Sequence, residues 1–325
     1  MINKPGVVIT GASGFIGGAL VPKLVQQSWS VRVLSRSELP HGRDAAAAPR
    51  CTGLTLPNGR PLLNAGDCLV HLAARVHVVS ERAQNPLAEF RRANVNSTIA
   101  LAQHAAQAGV KRFVFVSSVK VHGEHSVLGR PFTETDSPNP QDPYAVSKLE
   151  AEQGLREIAE QTGMELVIIR PPLVYGPGVK ANFAALMRAV SSGLPLPFGA
   201  IQNKRSLVGL DNLIDFIVNC LNHPAASGET FLISDGEDVS TAELVDKMGV
   251  ALGRPARTLS VPQPWLEWIA RAAGKPDIAQ RLCGSLQIDI TKARSLLKWQ
   301  PPMTLAQGLQ KTAQFHLTAR PPHDQ

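Results

Sequence analysis

The chain has 325 residues, of which 44% are hydrophobic and 18% are charged. This composition supplies enough apolar surface for a sizeable core and does not fit a disordered chain. Lysine and arginine outnumber aspartate and glutamate by 33 to 26, which leaves a formal charge of +7. The basic residues are spread along the chain rather than grouped in runs, so the charge favours a small anionic ligand over nucleic acid.

The cysteines argue against a metal-binding or disulfide-rich protein, and the apolar segments argue against a membrane-spanning one. Cys51, Cys68, Cys220 and Cys283 form no CxxC pair and no Cys/His cluster with the spacing of metal ligands. We therefore expect reduced, buried thiols, with no metal site and no disulfide framework. No apolar stretch approaches the ~20 residues of a membrane-spanning helix, and the N-terminus does not resemble a signal peptide. We expect a soluble, cytoplasmic protein without membrane insertion.

Strand-like apolar runs alternate with segments of helical periodicity through the first half of the chain. The predicted strands cover residues 7–10, 31–35, a short run near 54–56, 68–72, 113–117 and 166–170. The predicted helices cover about 14–27, 86–108 and 143–161. Such alternation predicts a doubly wound parallel sheet with helices on both faces.

A glycine-rich turn follows the first predicted strand. Residues 10–17 read TGASGFIG and open the first helix. Glycine permits a tight turn and a close approach of the backbone to a pyrophosphate, to which the helix N-terminus offers N–H groups and a partial positive charge. The turn predicts a dinucleotide site, and the alternative is a glycine-rich turn without a ligand. The predicted contacts are Gly11, Ser13, Gly14, Phe15, Ile16 and Gly17.

The residue after the second strand bears on the choice of dinucleotide. A site that prefers NAD usually has an acidic residue there, which binds the ribose hydroxyls of the adenosine half. Arg36 stands at this position instead, and its guanidinium can pair with a 2′-phosphate. We therefore favour NADP(H), and NAD(H) is the alternative if Arg36 is a solvated surface residue.

Tyr144 and Lys148 stand four residues apart at the start of the predicted helix 143–161, so their side chains project from one face. A phenol with a pKa of about 10 is a poor general base at neutral pH, but a nearby ammonium stabilises the phenolate and lowers that pKa. The pair therefore predicts an acid/base catalyst, with Tyr144 exchanging the proton.

Ser117 and Ser118 end the buried strand 113–117, at the carboxyl edge where parallel sheets bind ligands. We expect Ser118 to hydrogen-bond the reacting oxygen of the substrate and to polarise it beside Tyr144. The alternative is that both serines only cap the loop.

Beyond residue 170 the regular alternation gives way to Pro/Gly-rich loops at 176–178 and 193–199, with one more strand-like run at 230–233. We predict that residues 1–170 form a dinucleotide-binding Rossmann domain. Residues 171–325 should form mainly a smaller, mixed α/β lobe that binds the substrate, with some segments returning to the first domain.

These motifs, taken together, resemble the extended short-chain dehydrogenase/reductase family over nearly the whole chain. The segments that carry the resemblance are TGASGFIG (10–17), HLAA (71–74), NVNST (94–98), SSVKVHG (117–123), the Tyr144/Lys148 pair, RPPLVYG (170–176), RSLVGLDN (205–212) and LKWQP (297–301). Within the family the chain is most similar to sugar-nucleotide 4-epimerases and 4-keto reductases, particularly the O-antigen enzymes that act on UDP-N-acetyl-6-deoxyhexoses.

The resemblance implies a nucleoside-diphosphate sugar as substrate and a role for each matching residue. Tyr144 would be the catalytic acid/base, Lys148 would also hold the nicotinamide ribose, and Ser118 would assist at the substrate oxygen. The remaining implied cofactor contacts are Leu72, Ala73, Ala74, Asn94 and Pro171, with Asn94 supporting the lysine or an ordered water. The implied substrate contacts are Ser118, Lys120, Tyr144, Asn182 and Arg205, of which Arg205 would bind the diphosphate.

On the residues alone, a solvated charge beside Lys204 is the safer interpretation of Arg205. In similar enzymes the helices that correspond to 86–108 and 143–161 form a four-helix dimer interface, so we expect a homodimer.

The resemblance leaves the reaction open. Related 4,6-dehydratases carry Asp-Glu after the catalytic hydroxyl, whereas Val119 and Lys120 stand here, so we expect no dehydratase activity. Our first expectation is a 4-keto reductase, in which NADPH delivers a hydride to C4 of a UDP-N-acetyl-6-deoxyhexose for surface polysaccharide. The alternative is a UDP-sugar 4-epimerase that retains NAD, and a distant alternative is a non-catalytic NADP(H) sensor.

Overall fold

The computed structural model describes residues 5–35, 50–51, 53–56, 59–76, 85–272, 274 and 276–318. Arg36, on which the preference for NADP(H) depended, lies outside the described residues. The strands, in chain order, are β1 (Gly6–Thr10), β2 (Ser30–Leu34), β3 (Arg50–Cys51), β4 (Cys68–His71), β5 (Arg112–Val116), β6 (Glu165–Arg170), β7 (Leu173–Tyr175), β8 (Arg205–Gly209), β9 (Thr230–Leu232) and β10 (Asp238–Val239).

The helices alternate with these strands through most of the chain. In chain order they are α1 (Phe15–Gln26), α2 (Pro86–Phe90), α3 (Ser97–Gln107), α4 (Pro143–Thr162), α5 (Ala181–Ser192), α6 (Leu210–Asn222), α7 (Thr241–Ala251), α8 (Gln263–Ala272), α9 (Pro276–Cys283), α10 (Thr291–Leu297) and α11 (Leu305–Thr318). Among the described residues, none of these helices is long and apolar enough to cross a membrane.

Seven parallel strands form the large sheet of the described residues, in the order β3-β2-β1-β4-β5-β6-β9. β1 pairs with β2 on one side and with β4 on the other, so the strand order reverses at β1. In doubly wound sheets the ligand crevice lies at this reversal, outside the carboxyl ends of the strands.

The side chains of each central strand alternate between two cores. Val7 and Ile9 of β1 join the core under α1 and α6, whereas Val8 joins the core under α3 and α4. In β5, Val114 joins the core under α1 and α6, and Phe113 joins the core under α3 and α4. Because helices cover both faces, these strands are continuous apolar runs, and each fully buried side chain contributes roughly 1.5–3 kcal/mol of transfer free energy.

A second, three-stranded sheet lies in the C-terminal half, with β8 parallel to β7 and antiparallel to β10. β9, in contrast, joins the edge of the large sheet through parallel pairing with β6. The predicted fold class, a doubly wound parallel Rossmann sheet with a smaller, mixed α/β C-terminal lobe, is confirmed. The division of the chain at residue 170 stays a prediction.

Two predicted elements differ from the structure. The third strand is Arg50–Cys51, which pairs with β2, and the predicted strand at 54–56 is wrong. That apolar run belongs to a local turn instead, in which Leu62 N donates to Leu54 O at 2.9 Å and Leu56 N donates to Arg60 O at 2.8 Å. A three-residue run is too short for its composition to separate a strand from a turn.

The predicted helix 86–108 is present, but it is not uniformly α-helical. A π-helical segment, Arg91–Asn96, separates α2 from α3. An inserted π turn rotates the residues that follow it relative to a regular helix, and such turns are frequent at functional sites. Asn94, one of the predicted site residues, lies in this segment and is 1% exposed.

Candidate active site

The glycine turn between β1 and α1 is built for close backbone contacts. Gly11 has φ +71°, and a Cβ on it would lie 2.7 Å from Ala73 N. A Cβ on Gly17 would overlap the Gly11 carbonyl oxygen. These two glycines therefore let α1 pack closely against the ends of β1 and β4.

The first turn of α1 remains open to an anion. Gly14 caps the helix without a side-chain hydrogen bond, and the first turn contains no acidic residue. Ser13 and Gly14 are exposed, and Phe15 and Ile16 follow directly. The backbone N–H groups of this turn, with the partial positive charge of the helix end, fit a pyrophosphate.

A buried histidine joins the ends of β1 and β4 to the helix that carries Asn94. His71 Nδ1 lies 2.7 Å from Thr10 Oγ1, and His71 Nε2 lies 2.9 Å from Thr98 Oγ1. Ala73 N donates to Thr10 Oγ1 at 3.3 Å, which places the predicted cofactor residues Leu72, Ala73 and Ala74 beside the glycine turn. Burial, followed by the charge of Lys148, lowers the pKa of His71 to about 3, so this imidazole is neutral.

The helix that carries Tyr144 and Lys148 starts with a strong local signal. Asp142 is the N-cap of α4, and its Oδ1 accepts from Ala145 N at 2.6 Å, with Pro143 in the first turn. Both features favour a helix start at this point. The predicted start of the helix is thus confirmed, and it places Tyr144 and Lys148 one turn apart near the carboxyl end of β5.

Lys148 is 2% exposed and lies against the end of β5. Its Nζ donates to Val116 O at 2.7 Å and lies 4.2 Å from the centre of the Phe115 ring. Burial lowers the pKa of this ammonium to about 7, and the charge of Glu152 opposes that shift. Lys148 therefore can gain or lose its proton near neutral pH.

The environment of Tyr144 differs from the sequence-based expectation. Burial, and after it the charge of Asp142, raises the pKa of the Tyr144 phenol above its ordinary value. The expected lowering by Lys148 is absent from this structure, because the ammonium is bonded to Val116 O instead. The edge of the Tyr144 ring packs on Phe90, with 6.2 Å between ring centres.

Asn94 connects the π-helical segment to α4. Its Oδ1 accepts from Arg75 N at 2.7 Å, and its Nδ2 donates to Arg75 O at 3.0 Å and to Ser147 Oγ at 3.0 Å. Ser147 Oγ in turn donates to Tyr144 O at 2.7 Å. Asn94 thus supports the first turn of α4 through Ser147, rather than by a direct hydrogen bond to Lys148.

Ser118 and Lys120 lie in the turn that follows β5. Ser118 Oγ accepts from Lys120 N at 3.2 Å, so it caps this turn while its own proton stays available to donate. Lys120 Nζ donates to Glu124 at 2.7 Å and to Asp142 at 2.8 Å. The charge of Lys120 is therefore balanced by two carboxylates, and its role toward a substrate stays a prediction.

A cavity of about 690 Å³ lies beside this turn. It is lined by His122, Gly123, Glu124, His125, Phe132, Asn139, Gln141, Asp142, Arg205, Gln280 and Arg281. Arg205 enters from β8, and its Nη1 donates to Gly284 O at 2.9 Å and to Arg281 O at 3.1 Å. Arg205 is therefore not a freely solvated charge, and burial lowers the pKa of its guanidinium.

The two remaining predicted site residues, Pro171 and Asn182, differ in their position relative to Ser118 and the cavity. Pro171 is buried after β6, and its carbonyl accepts from Val119 N at 3.0 Å, next to Ser118. Asn182 is exposed in the first turn of α5, and the cavity lining does not include it. Among the described residues, no group of three or more His, Cys, Asp or Glu side chains could hold a metal ion.

A buried ion pair anchors α4 to the sheet beneath the site. Arg170 Nε donates to Glu152 Oε1 at 3.0 Å and Arg170 Nη2 to Oε2 at 2.5 Å, and Glu152 is 1% exposed. Arg170 Nη1 lies 2.8 Å from His122 Nε2. Removing one partner of such a buried pair typically costs about 3–5 kcal/mol, so the pair fixes where α4 presents its side chains.

Sequence reasoning did not identify several polar residues of the cavity, among them His125 and Arg281. Neither belongs to a motif, and Arg281 is far from Arg205 along the chain. Only the packing of the turn after α9 against β8 brings Arg281 to the cavity. No local pattern in the sequence could have found it.

Comparisons with known proteins agree with this geometry. The family described as "NAD dependent epimerase/dehydratase family" matches residues 7–234. The chain is 45% identical over 323 residues to a UDP-glucose 4-epimerase of Vibrio cholerae, which covers 96% of each chain. It is 30% identical over 339 residues to a UDP-glucose 4-epimerase of Mycolicibacterium smegmatis, covering 95% of this chain and 97% of that one.

A solved structure supports the same assignment. The structure of MoeE5 in complex with UDP-glucose and NAD is 27% identical to this chain, with a TM-score of 0.73, and covers 97% of this chain and 99% of its own. Together with the family match over residues 7–234, these similarities show that the chain belongs to the NAD dependent epimerase/dehydratase family, within the extended short-chain dehydrogenases/reductases.

Proposed function

We propose that the protein is a UDP-hexose 4-epimerase that retains NAD(H) through its catalytic cycle. The observation that carries the proposal is the 45% identity to a UDP-glucose 4-epimerase over 96% of both chains. The Tyr144/Lys148 pair at the carboxyl edge of the sheet supplies the acid/base chemistry that such a reaction requires.

The 4-keto reductase, our first expectation, rested on Arg36 and exchangeable NADPH. Arg36 lies outside the described residues, and the similarity to 4-epimerases favours the alternative. The preference for NADP(H) therefore stays a prediction, whereas MoeE5 was solved with NAD.

The dehydratase reaction is disfavoured by the contacts after Ser118. Val119 is 3% exposed, and Lys120 is paired with Glu124 and Asp142. At these two positions there is no carboxylate to remove a proton from C5 or to protonate the leaving hydroxyl at C6, as a 4,6-elimination would require.

The glycine turn fits the dinucleotide that this reaction needs. We propose that the first turn of α1 binds the pyrophosphate through backbone N–H groups, with Leu72, Ala73, Ala74 and Pro171 lining the same crevice. When bound there, NAD⁺ would accept the hydride from C4 of the sugar and later return it to the opposite face of that carbon.

Tyr144 is the proposed acid/base. Its phenolate oxygen would take the proton of the C4 hydroxyl as hydride leaves C4, and the resulting phenol would return that proton when the hydride comes back. Burial raises the pKa of this phenol, so the reaction requires positive charge near the hydroxyl. Lys148, one turn along α4, is the residue of this chain that can supply such a charge.

Ser118 and Asn94 have supporting roles in this proposal. Ser118 Oγ accepts a hydrogen bond from Lys120 N. The hydroxyl proton of Ser118 is therefore available to an acceptor on the substrate. Donation of that proton to the C4 oxygen would orient the sugar beside Tyr144. Asn94 would hold the first turn of α4 in place through Ser147.

The cavity beside Asp142 is the proposed site for the rest of the sugar nucleotide. Arg205 lines it with a guanidinium that is held by Gly284 O and Arg281 O. Such a group suits an anionic diphosphate. We also propose a homodimer through α3 and α4, which pack against each other. The exposed ion pair Arg91–Glu150 joins α4 to the π-helical segment that precedes α3.

One experiment separates the proposed reaction from its rival. Purified protein is denatured and the released small molecules are identified by mass spectrometry, while native protein is incubated with UDP-glucose without added cofactor. The 4-epimerase should release NAD(H) in near-stoichiometric amount and should form UDP-galactose. Absence of interconversion, together with stoichiometric oxidation of added NADPH by a 4-keto-6-deoxy sugar nucleotide, would replace the proposal by the reductase.

A further inference from the structure

Helix α8 presents an apolar face to solvent. None of its residues is buried, and Trp265, Trp268 and Ile269 are 66%, 67% and 51% exposed. Their spacing places the three side chains next to one another on one face of the helix. The other two tryptophans of the chain, Trp29 and Trp299, are buried. Tryptophan usually buries most of its surface, and an exposed apolar patch of this kind commonly marks a contact surface.

The orientation of α8 is the reverse of that of an ordinary surface helix, which turns its apolar side towards the core. Gln263 and Glu267 share one face of α8, and Gln263 Nε2 donates to Glu267 Oε1 at 2.9 Å. Both side chains are only partly exposed. Burial, and then the charge of Glu267, raises the pKa of the Cys283 thiol in α9, against which α8 packs. The helix therefore turns Gln263 and Glu267 towards the protein and its tryptophans away from it.

The charges on and before this apolar face are positive. Arg271 is exposed and stands one turn after Trp268, on the outward side of α8. Arg254 and Arg257, in the segment that leads to α8, are exposed as well. Glu267, which is directed inward, is the one acidic residue in the sequence between Arg254 and Arg271. The outward side of α8, which the structure describes in full, thus combines tryptophan, isoleucine and arginine and carries no carboxylate.

We propose that the α8 face, made of Trp265, Trp268, Ile269, Arg271 and Ala272, attaches the protein to the surface of an anionic phospholipid membrane. The helix would lie parallel to that surface, with the indole rings at the level of the headgroups and the guanidinium at the lipid phosphates. The attachment is peripheral, since α8 has 10 residues and a membrane-spanning helix needs about 20. The proposal goes beyond the proposed reaction and does not depend on it.

Charge complementarity favours a lipid surface over a second copy of this chain. In a two-fold dimer the same face meets itself, so Arg271 would approach its own copy with no carboxylate on the α8 face to balance either charge. An anionic bilayer supplies negative charge along the whole helix and an apolar layer for the indole rings. The α8 face also shares no residue with α3 or α4, on which the proposed homodimer depends.

The α8 face lies beside a helix that lines the candidate substrate cavity. α8 packs against α9, and Gln280 and Arg281, at the end of α9, line that cavity. Attachment through α8 would therefore hold the cavity close to the lipid surface.

Cosedimentation of the protein with lipid vesicles tests the proposal. Vesicles of equal parts phosphatidylcholine and phosphatidylglycerol should bind wild type, and vesicles of pure phosphatidylcholine should bind it at least about fivefold more weakly. The double variant Trp265→Ser/Trp268→Ser should lose at least about tenfold in affinity for the mixed vesicles, and Arg271→Gln should lose about fivefold. Val127→Ser/Leu128→Ser, which removes exposed apolar side chains elsewhere, is the matched control and should bind as wild type.

Fluorescence and sedimentation velocity complete the test. Lipids with brominated acyl chains should quench the fluorescence of wild type, whereas the double variant, which keeps only the buried Trp29 and Trp299, should not be quenched. Because the replaced side chains are exposed, the free energy of unfolding should stay close to that of wild type. Equal binding of wild type and the double variant, or no binding of wild type to mixed vesicles, would overturn the proposal. A lower oligomeric mass of the double variant would overturn it in favour of a second copy on the α8 face.

Discussion

The only two tyrosines of the chain, Tyr144 and Tyr175, lie in regions where the phenol has different packing and hydrogen-bond partners. Tyr175 is 0% exposed in the C-terminal lobe, where its ring stacks on Phe183 with 5.4 Å between centres. Its hydroxyl donates to Asp235 Oδ2 at 2.7 Å. Tyr144 packs only its ring edge on Phe90, and its hydroxyl has no hydrogen-bond partner among the described residues.

The difference separates a structural phenol from one that is available for chemistry. Asp235 also accepts from Gly209 N and from Asn212 Nδ2, each at 2.7 Å, so Tyr175 belongs to a satisfied buried network. A hydroxyl in such a network stabilises the fold and has no proton to exchange with a ligand. The Tyr144 hydroxyl makes no such bond, so a substrate oxygen can become its partner.

The largest expected effect is on turnover by Tyr144→Phe. Loss of the hydroxyl should lower kcat for the interconversion of UDP-glucose and UDP-galactose by about 10³-fold, because no other phenol can replace it. Bound NAD(H) and the free energy of unfolding should stay close to wild type. A variant that retained more than a tenth of wild-type kcat would break the assignment of Tyr144 as the acid/base.

An intermediate effect is expected from Lys148→Met, measured as stability against pH. The folded-state pKa of Lys148 is about 7, below the ordinary value of about 10.5, so between these values the unfolded chain binds a proton that the folded chain does not. The free energy of unfolding of wild type should therefore rise relative to the variant as pH increases from 7 to 10, by about 1.4 kcal/mol per pH unit at most.

Chemical denaturation of both proteins at several pH values measures this difference. Lys23→Met, which changes an exposed lysine of α1, should leave the pH dependence of wild type unaltered. Parallel curves for wild type and Lys148→Met would show that the Lys148 ammonium is solvated rather than buried against Val116 O.

The smallest expected effect is that of Tyr175→Phe, which sharpens the comparison by removing the other phenol. Asp235 keeps its bonds to Gly209 and Asn212 but loses a donor inside the lobe. The free energy of unfolding should fall by about 1–3 kcal/mol, while kcat per folded molecule stays unchanged. A loss of kcat comparable to that of Tyr144→Phe, at full stability, would remove the distinction between the two regions.

The agreement between sequence and structure depends on how local each signal is. The turn TGASGFIG, the Asp142 cap and the Tyr144/Lys148 spacing act within one or two turns of chain, so their geometry was predictable. The short run at 54–56 was not, because three apolar residues fit a turn as well as a strand. The π-helical segment around Asn94 was also missed, because its residues carry no pattern that differs from an α-helix.

By itself the amino-acid sequence determined the order of strands and helices, the glycine turn and the one-turn separation of Tyr144 and Lys148, since short-range sterics and apolar periodicity specify them. Only the tertiary structure decided that Lys148 bonds to Val116 O rather than to the phenol, and that His125 and Arg205 meet at Gly284. These contacts join segments that are distant along the chain, and burial at those contacts lowers the pKa of Lys148, His125 and Arg205.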